Sequence, residues 1–371
     1  MKKKSVLISG ASIAGLTMAH FMNRNGYEVT VVEIGNAPRL GGTPVDVRGN
    51  ALDTAQRMGI LENLKEAKVP TKGLEFVNAN DEFQGLMLVE DIGALCPDDI
   101  EIRRDDLVKI LYSVAHDNVK YKFNSHVTAI EQDEDKVTVT FNDKTIEEFD
   151  FVIGADGIHS GIRRFVFGPE EDFSHFLNFY FSIFKGDISL GKKNYCQMYN
   201  TPNTMSAIYC YNIEVADIIM TFKTQEIITY NYRDVEAQKK IVIDAFEGVG
   251  WKVPQLIEEI KESENFYLSQ GCQIKMPSWT KGRVALIGDA GYAPAFPTGM
   301  GSTLAMQGAL ALADAMVENA DYKIAFQKYN EDFRPIVETL QETVFDGINF
   351  LMPETQEAIN TRNKGTHYKQ L

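Results

Sequence analysis

Cysteine is scarce: Cys96, Cys196, Cys210 and Cys272 are the only four among 371 residues. None forms a C-x-x-C pair, so neither a zinc site nor a redox pair has support. Reduced, buried thiols in a cytoplasmic protein are expected. Basic charge is also in deficit, with 37 Lys and Arg against 52 Asp and Glu and a net charge of −15. Phosphate backbones bind to basic surfaces, so no nucleic-acid partner is expected. Clean apolar runs of membrane-spanning length are missing too. Residues 5–23 carry no charge and follow Lys2, Lys3 and Lys4, as a secretory signal would. They are broken by Gly10 and Gly15 and run on into a second apolar strand, so no signal is expected. The uncharged stretch 290–313 contains Pro294, Pro297, Gly299 and Gly301. A spanning helix needs about 20 mostly apolar residues without such breaks, so no membrane partner is expected. There is no internal repeat, low-complexity segment, metal cluster or nucleophile motif.

What remains is a chain long enough for about two domains. Residues 5–9 read as a strand, 14–25 as a helix closed by Gly26, and 28–33 as a second strand, together a βαβ unit. Residues 50–67 and 105–116 read as helices, and 73–102 as strands and loop. Strands follow near 126–131 and 136–141, then a buried apolar strand at 149–153. Between about 172 and 232 aromatic and β-rich runs take over, which predicts a mainly antiparallel sheet. Residues 236–262 look helical, 283–287 form another buried strand, and 302–318 a helix. The chain closes with helices from about 323, whose apolar positions are Phe333, Ile336, Leu340 and Val344, and with a polar tail after Pro353.

Three turns carry chemistry. Gly10-Ala11-Ser12-Ile13-Ala14-Gly15 follows a strand and opens a helix, and Glu33 ends the next strand. This is the context of a dinucleotide fingerprint. Gly10 permits the tight turn, Gly15 close helix–strand packing, and the helix N-terminus offers N–H groups to a pyrophosphate. Glu33 is placed to accept hydrogen bonds from a ribose. Ser12 departs from the preferred glycine, though its hydroxyl can donate to a phosphate oxygen. The second turn, Gly154-Ala155-Asp156-Gly157-Ile158-His159-Ser160, runs from strand to helix with Ser160 as a candidate N-cap. It reads equally well as a ligand turn or as a structural one in which Asp156 satisfies backbone donors; His159 reads as structural. The third follows the strand 283–287. Gly288-Asp289 sets a carboxylate at a strand end, suited to a polyol, and Gly299-Met300-Gly301 opens a helix behind Pro294 and Pro297. Such a turn lets backbone N–H groups approach a flat ligand that carries negative charge, as reduced flavin does on its N1–C2=O edge.

In order and spacing these turns resemble the single-component FAD-dependent aromatic hydroxylases related to p-hydroxybenzoate hydroxylase, over essentially the whole chain. The stretches G-G-T-P-V-D-V-R-G (41–49), I-R-R-D-D-L (102–107), G-A-D-G-I-H-S (154–160) and W-T-K-G-R-V-A-L-I-G-D-A-G-Y (279–292) most resemble the tetracycline destructases. The resemblance implies an α/β fold, α+β overall. A Rossmann-like FAD-binding domain (1–72, 101–171 and 271–320) is joined by a mainly antiparallel substrate domain (73–100 and 172–270) and C-terminal helices (321–371), one of them bridging the domains. It implies FAD held by Gly10, Ser12, Ala14, Gly15 and Glu33, with Asp46, Arg48 and Arg104 also in contact. Asp289 would hold the ribityl or pyrophosphate portion, and Pro297, Gly299, Met300 and Gly301 would face the isoalloxazine ring. Arg39 matches a position associated with NADPH, and Asp156-Gly157 would serve pyrophosphate and NADPH docking. Tyr292 or Gly291 stands where many relatives carry histidine. The W-x-W-x-I-P motif of halogenating members is missing.

The implied activity is NAD(P)H- and O₂-dependent hydroxylation of a small polycyclic or phenolic substrate through a flavin C4a-hydroperoxide, including inactivation of tetracycline antibiotics. NADPH is the implied donor, with NADH the alternative, and a monomer is expected. No catalytic side chain or metal is required. Phe181, Tyr211, Met220 and Phe222 of the β-rich region are the candidate substrate residues, with strand alternation leaving part of the aromatic set in the core. The rival readings are a related flavin-dependent reductase and a flavin-bearing protein that sequesters a ligand.

Overall fold

The computed structural model describes residues 3–89, 98–212, 214–231 and 234–365. Cys96 lies outside them; Cys196, Cys210 and Cys272 are buried. The chain divides into two units, each assembled from separated segments. Met1–Lys68, Asp99–His175 and Cys272–Thr343 form the first, and Val69–Asp98, Phe176–Gly271 and Val344–Leu371 the second.

The first unit is built on a six-stranded sheet. Its spatial order is Thr280–Lys281, Val284–Leu286, Phe151–Gly154, Ser5–Ser9, Glu28–Val32 and Lys120–Lys122. All neighbours pair in parallel except the first two strands. The inner strands are buried almost throughout, as their continuous apolar runs require. Helices Ile13–Arg24 and Gly301–Glu318 pack together in this unit's core. The apolar run at 149–153 does not make one strand. It is cut at Asp150, whose carboxylate accepts from Ser5 N (2.7 Å), Ser5 Oγ (3.0 Å) and Lys136 Nζ (2.7 Å). Phe149 therefore closes a small antiparallel sheet while Phe151 opens the parallel strand. The helix expected over 50–67 is likewise two, Asn50–Met58 and Leu61–Glu66, because Gly59 takes a left-handed C-cap at φ 75°.

The helix Tyr322–Glu342 belongs to the first unit, and its buried stripe is Phe326, Tyr329, Phe333, Val337 and Gln341. The face expected from Phe333, Ile336 and Leu340 is rotated, leaving Ile336 exposed. The large aromatic groups set the orientation: Tyr329 and Phe333 pack on Trp279, Phe333 also on Tyr292, and Phe326 on Phe151.

The second unit holds a seven-stranded sheet, ordered Tyr267–Ile274, Ser174–Asp187, Val215–Lys223, Thr204–Tyr209, Tyr195–Tyr199, Gly73–Val77 and Phe83–Leu88. Its pairs are antiparallel where the long central strands meet, and parallel between Tyr195–Tyr199 and Gly73–Val77. Tyr180, Phe184, Ile218, Met220 and Phe222 turn one face toward Val242 of one helix, Phe246 at its end, and Leu256 and Ile260 of the next. These helices, Val235–Ala245 and Val253–Glu262, replace the single one expected over 236–262. Residues after Pro353 are not merely a polar tail: Thr355 caps helix Gln356–Asn363 by accepting from Ala358 N at 3.1 Å. Arg362 anchors that helix, donating to Asn200 Oδ1 at 2.6 Å and stacking 4.5 Å over Phe76. Among the described residues no helix is long and apolar enough to cross a membrane.

Candidate functional site

Four neighbouring parallel strands of the first unit end at one edge of the sheet, and each end carries a residue singled out from sequence. Gly10 follows Ser5–Ser9, Glu33 follows Glu28–Val32, Asp156 follows Phe151–Gly154, and Asp289 follows Val284–Leu286. The carboxyl ends of parallel strands are where α/β sheets bind ligands.

Gly10 and Gly15 make this edge possible. Gly10 has φ 108°, and a Cβ there would lie 2.3 Å from the Ala155 carbonyl oxygen. A Cβ on Gly15 would lie 1.9 Å from the Gly10 carbonyl oxygen. The turn is thus pressed against the next strand's end with no room for any side chain. Ala14 is buried beneath it. Ser12 stands at the N-cap of helix Ile13–Arg24 without a side-chain capping bond, so the helix keeps free N–H groups. Its hydroxyl accepts from Arg104 Nη2 at 2.7 Å, which leaves its own proton free to donate. Arg104 also donates to the carbonyls of Arg39 (3.1 Å) and Gly41 (2.8 Å), drawing the 39–42 loop to the turn. Glu33 accepts from Ala11 N (2.8 Å) and Gly35 N (3.0 Å); a carboxylate's remaining lone pairs leave capacity for a ligand hydroxyl.

Asp289 opens the short helix Asp289–Tyr292. Its surface is accessible, yet burial among the surrounding protein pushes its carboxyl above the usual range, while the charges of Arg104 and Arg39 pull it down. Accessible surface within dense surroundings describes a recess, and a perturbed carboxyl there makes Asp289 a candidate functional residue. On the strand Pro44–Val47, Asp46 pairs with Arg48 at 2.6 Å. Burial, opposed by Arg48 and assisted by Glu101 and Asp99, raises Asp46 to about 6. The Nε of Arg48 is buried without a partner among the described residues. Gly299, in the left-handed region at φ 64°, sits where a Cβ would be 3.6 Å from Asp46 Oδ2 and 3.8 Å from Arg48 Nη1. Pro297 forms the turn Phe296–Thr298, and Met300 and Gly301 begin the 18-residue helix Gly301–Glu318, again without a side-chain cap.

Asp156 serves its own turn. It accepts from the Ser160 hydroxyl and from Ile162 N (3.1 Å), and Ser160 in turn caps Arg163 N at 2.9 Å. Of its two readings from sequence, the structural one describes these bonds. Gly157, at φ 81°, is open on its Cα side. His159 is exposed and pairs with Glu170 at 2.9 Å.

Several contributors escaped the sequence. Ser302 and Thr303 hydroxyls donate to the Asp46 carbonyl, fixing the Arg48 strand on the helix start. Their place directly after Gly301 was a usable signal. Fully buried Arg163 donates to the carbonyls of Ile158 (2.6 Å) and Ala290 (3.0 Å), tying the second turn to the third. No local pattern marks it. Gln341 lies at i+4 from Val337 and i+8 from Phe333, so a polar group within an apolar stripe was its signal.

The candidate substrate residues separate. Met220 and Phe222 are core, packed with Tyr180 and Phe246 on the helix-covered face, so their expected cavity role is corrected. The reason is parity: Phe222 pairs with Tyr180, whereas Phe181 pairs with Thr221 and takes the other face. There Phe181 meets Phe179 (6.4 Å) and Tyr267 (5.9 Å). Tyr211 is buried and donates to Asp217 at 2.9 Å, beside Lys185.

The first unit therefore offers two uncapped helix N-termini, an unpartnered guanidinium N–H, a recessed carboxylate and a side-chain-free turn. These suit a long ligand with a pyrophosphate, hydroxyls and a flat ring, and so fit FAD. Comparison with known proteins bears on the whole chain. The family model described as FAD binding domain matches residues 3–343. An uncharacterised protein of Mycobacterium tuberculosis is 38% identical over 358 residues, covering 95% of this chain and 96% of its own. A flavin-dependent monooxygenase of Legionella longbeachae is 36% identical over 343 residues, covering 92% and 88%. The crystal structure of tetracycline destructase Tet(51) superposes with a TM-score of 0.87 at 32% identity, covering 98% of this chain and 95% of that one. The chain belongs to the FAD binding domain family and is an FAD-dependent monooxygenase.

Proposed function

We propose that the enzyme takes its electrons from NADPH and hydroxylates a polycyclic, phenolic substrate of the tetracycline class. The observation that carries the substrate class is the whole-chain likeness to tetracycline destructase Tet(51), at a TM-score of 0.87. In this reading Gly10, Ser12, Ala14 and Gly15 with the N-terminus of helix Ile13–Arg24 hold the pyrophosphate, and Glu33 the adenosine ribose. Arg104, Asp46, Arg48 and Asp289 bind the middle of the cofactor, and Pro297, Gly299, Met300 and Gly301 flank the ring. Arg39 and the Asp156-Gly157 turn dock NADPH. Bound flavin supplies the two-electron chemistry by which one oxygen atom of O₂ enters the substrate and the other leaves as water. The protein's own residues bind, orient and exclude water. Substrate recognition is assigned to the face of the seven-stranded sheet that carries Phe181.

Purified protein should be yellow. Tetracycline should stimulate both NADPH oxidation and O₂ uptake, and the product should gain the mass of one oxygen atom. An unchanged tetracycline mass, with NADPH oxidised at the substrate-free rate, would remove this substrate class. Reduction of substrate without O₂ consumption would favour the reductase reading. Tight binding without turnover would favour sequestration.

A further inference from the structure

Ala295 holds a conformation that a residue with a Cβ rarely adopts, at φ 78° and ψ 152°. That region is essentially reserved for glycine, and such strain persists only where the surroundings fix the backbone. Here both flanking peptide planes are fixed. On one side the Gln273 amide donates to the Pro294 carbonyl at 3.0 Å, which sets the plane preceding Ala295. On the other, the Ala295 carbonyl accepts from Thr298 N (3.2 Å) and Thr298 Oγ1 (2.9 Å).

Two buried glutamines do this work together. Gln273 is 1% exposed, and its second donor reaches the Gln341 carbonyl at 2.7 Å. Gln341 is 5% exposed, and its amide reaches the carbonyls of Ile274 (2.9 Å) and Ala293 (3.1 Å). An amide N–H₂ has two donors, and both are used in each residue. The carbonyls at 293 and 294 are thus gripped from a strand and from a long helix. Downstream, Thr298 Oγ1 accepts from Met300 N at 3.2 Å, so the position of Ala295 passes through Thr298 to the turn Gly299–Gly301.

We propose that Gln273 is a positioning residue for the flavin: with Gln341 it holds Ala295 in its glycine-like conformation and so aims the Gly299–Gly301 turn at the isoalloxazine ring. The inference rests on the reading that this turn faces the ring. A support that fixes a binding turn from buried side chains sets the ligand's geometry without touching it.

The test is a double-mutant cycle of Gln273→Met, which keeps length and removes the donors, with Ala295→Gly, which removes the need for restraint. FAD affinity is measured by titrating apo-protein, alongside the bound flavin's absorption spectrum and reduction potential. Gln273→Met should weaken FAD binding by about tenfold or more and shift spectrum and potential. Adding Ala295→Gly should restore affinity to within about threefold of wild type. A residue that served stability alone would lower the apo-protein's Tm without this rescue. If Gln273→Met does not fold but the double variant does, the rescue itself supports the clamp; if neither folds, the clamp is overturned. If wild type binds FAD and Gln273→Met binds it equally well with the same spectrum, the inference fails and the flavin reading stands. If wild type takes up no FAD, both fail.

Discussion

The two sheets place their functional residues in opposite ways. In the six-stranded sheet of the first unit the candidate residues stand at or beside strand ends, where geometry restricts the residue type: Gly10 and Gly15 because no Cβ fits, and Glu33 because its carboxylate holds the Ala11 and Gly35 amides. In the seven-stranded sheet, the matter is which face a side chain takes. Phe181 and Phe222 are the same residue on paired strands, yet Phe222 fills the core beneath the helices while Phe181 takes the other face. A strand-end site is written in residue kinds, whereas a strand-face site is written in register, which no single strand reveals.

The sharpest test of this contrast is the pair Phe222→Ala and Phe181→Ala. Phe222 is 7% exposed and packs on Tyr180 and Phe246. Its truncation should cost about 3–5 kcal/mol in urea unfolding followed by circular dichroism. Phe181 is half-buried. Its truncation should cost clearly less, and should instead raise KM for tetracycline in NADPH-oxidation assays. Equal stability losses with unchanged KM would erase the distinction between the faces.

Gly15→Ala probes the strand-end rule itself. The added methyl would lie 1.9 Å from a backbone oxygen, and backbone cannot swing aside as a side chain can. A loss of about 1–3 kcal/mol is expected, together with loss of bound flavin. A fully stable, yellow variant would show that the turn has room the contacts deny. Asp289→Ala should divide function from stability. FAD affinity should fall by about tenfold or more, while the apo-protein's Tm holds or rises, because a carboxyl disfavoured by its surroundings has been removed. Full flavin occupancy in that variant would refute its assigned role.

This contrast also explains what could be read from the chain alone. The βαβ opening, the buried strands and the strand-end turns were legible because they depend on local period and on glycine or carboxylate placement. The break at Asp150 was not, since an apolar run conceals a single aspartate that binds Ser5 and Lys136 from distant segments. The buried stripe of helix Tyr322–Glu342 was rotated in the reading because apolar spacing at 333, 336 and 340 looked helical, while the Trp279 and Tyr292 rings select 329 and 333, and Phe151 selects 326. Arg163 and Gln273 act on carbonyls more than 20 positions away, and no local pattern announces such a partner.

Asp46 gives the finest division between site and scaffold. It lies on the separate two-stranded sheet of Pro44–Val47 and Ile100–Arg103, and Ser302 and Thr303 hold its backbone carbonyl at the start of helix Gly301–Glu318. Its carboxyl is raised from 3.8 to about 6, chiefly by burial, against the pull of Arg48. Between those values the folded apo-protein retains a proton that the unfolded chain has released. The native state therefore binds more protons, and this group's contribution lowers stability as pH climbs from about 4 to about 6. Asp46→Asn cannot titrate. The stability of the variant minus that of wild type should thus grow across that window and level off above it, by no more than about 3 kcal/mol at about 1.4 kcal/mol per pH unit. Loss of the 2.6 Å hydrogen bond with Arg48 should lower the whole difference curve by a constant amount without changing its slope. Urea midpoints of both apo-proteins, taken in steps from about pH 4 to about pH 7, measure the curve. A flat or falling difference would mean that Asp46 is ionised as easily as any surface carboxylate, and the recess would then impose no stability cost on the charge it holds.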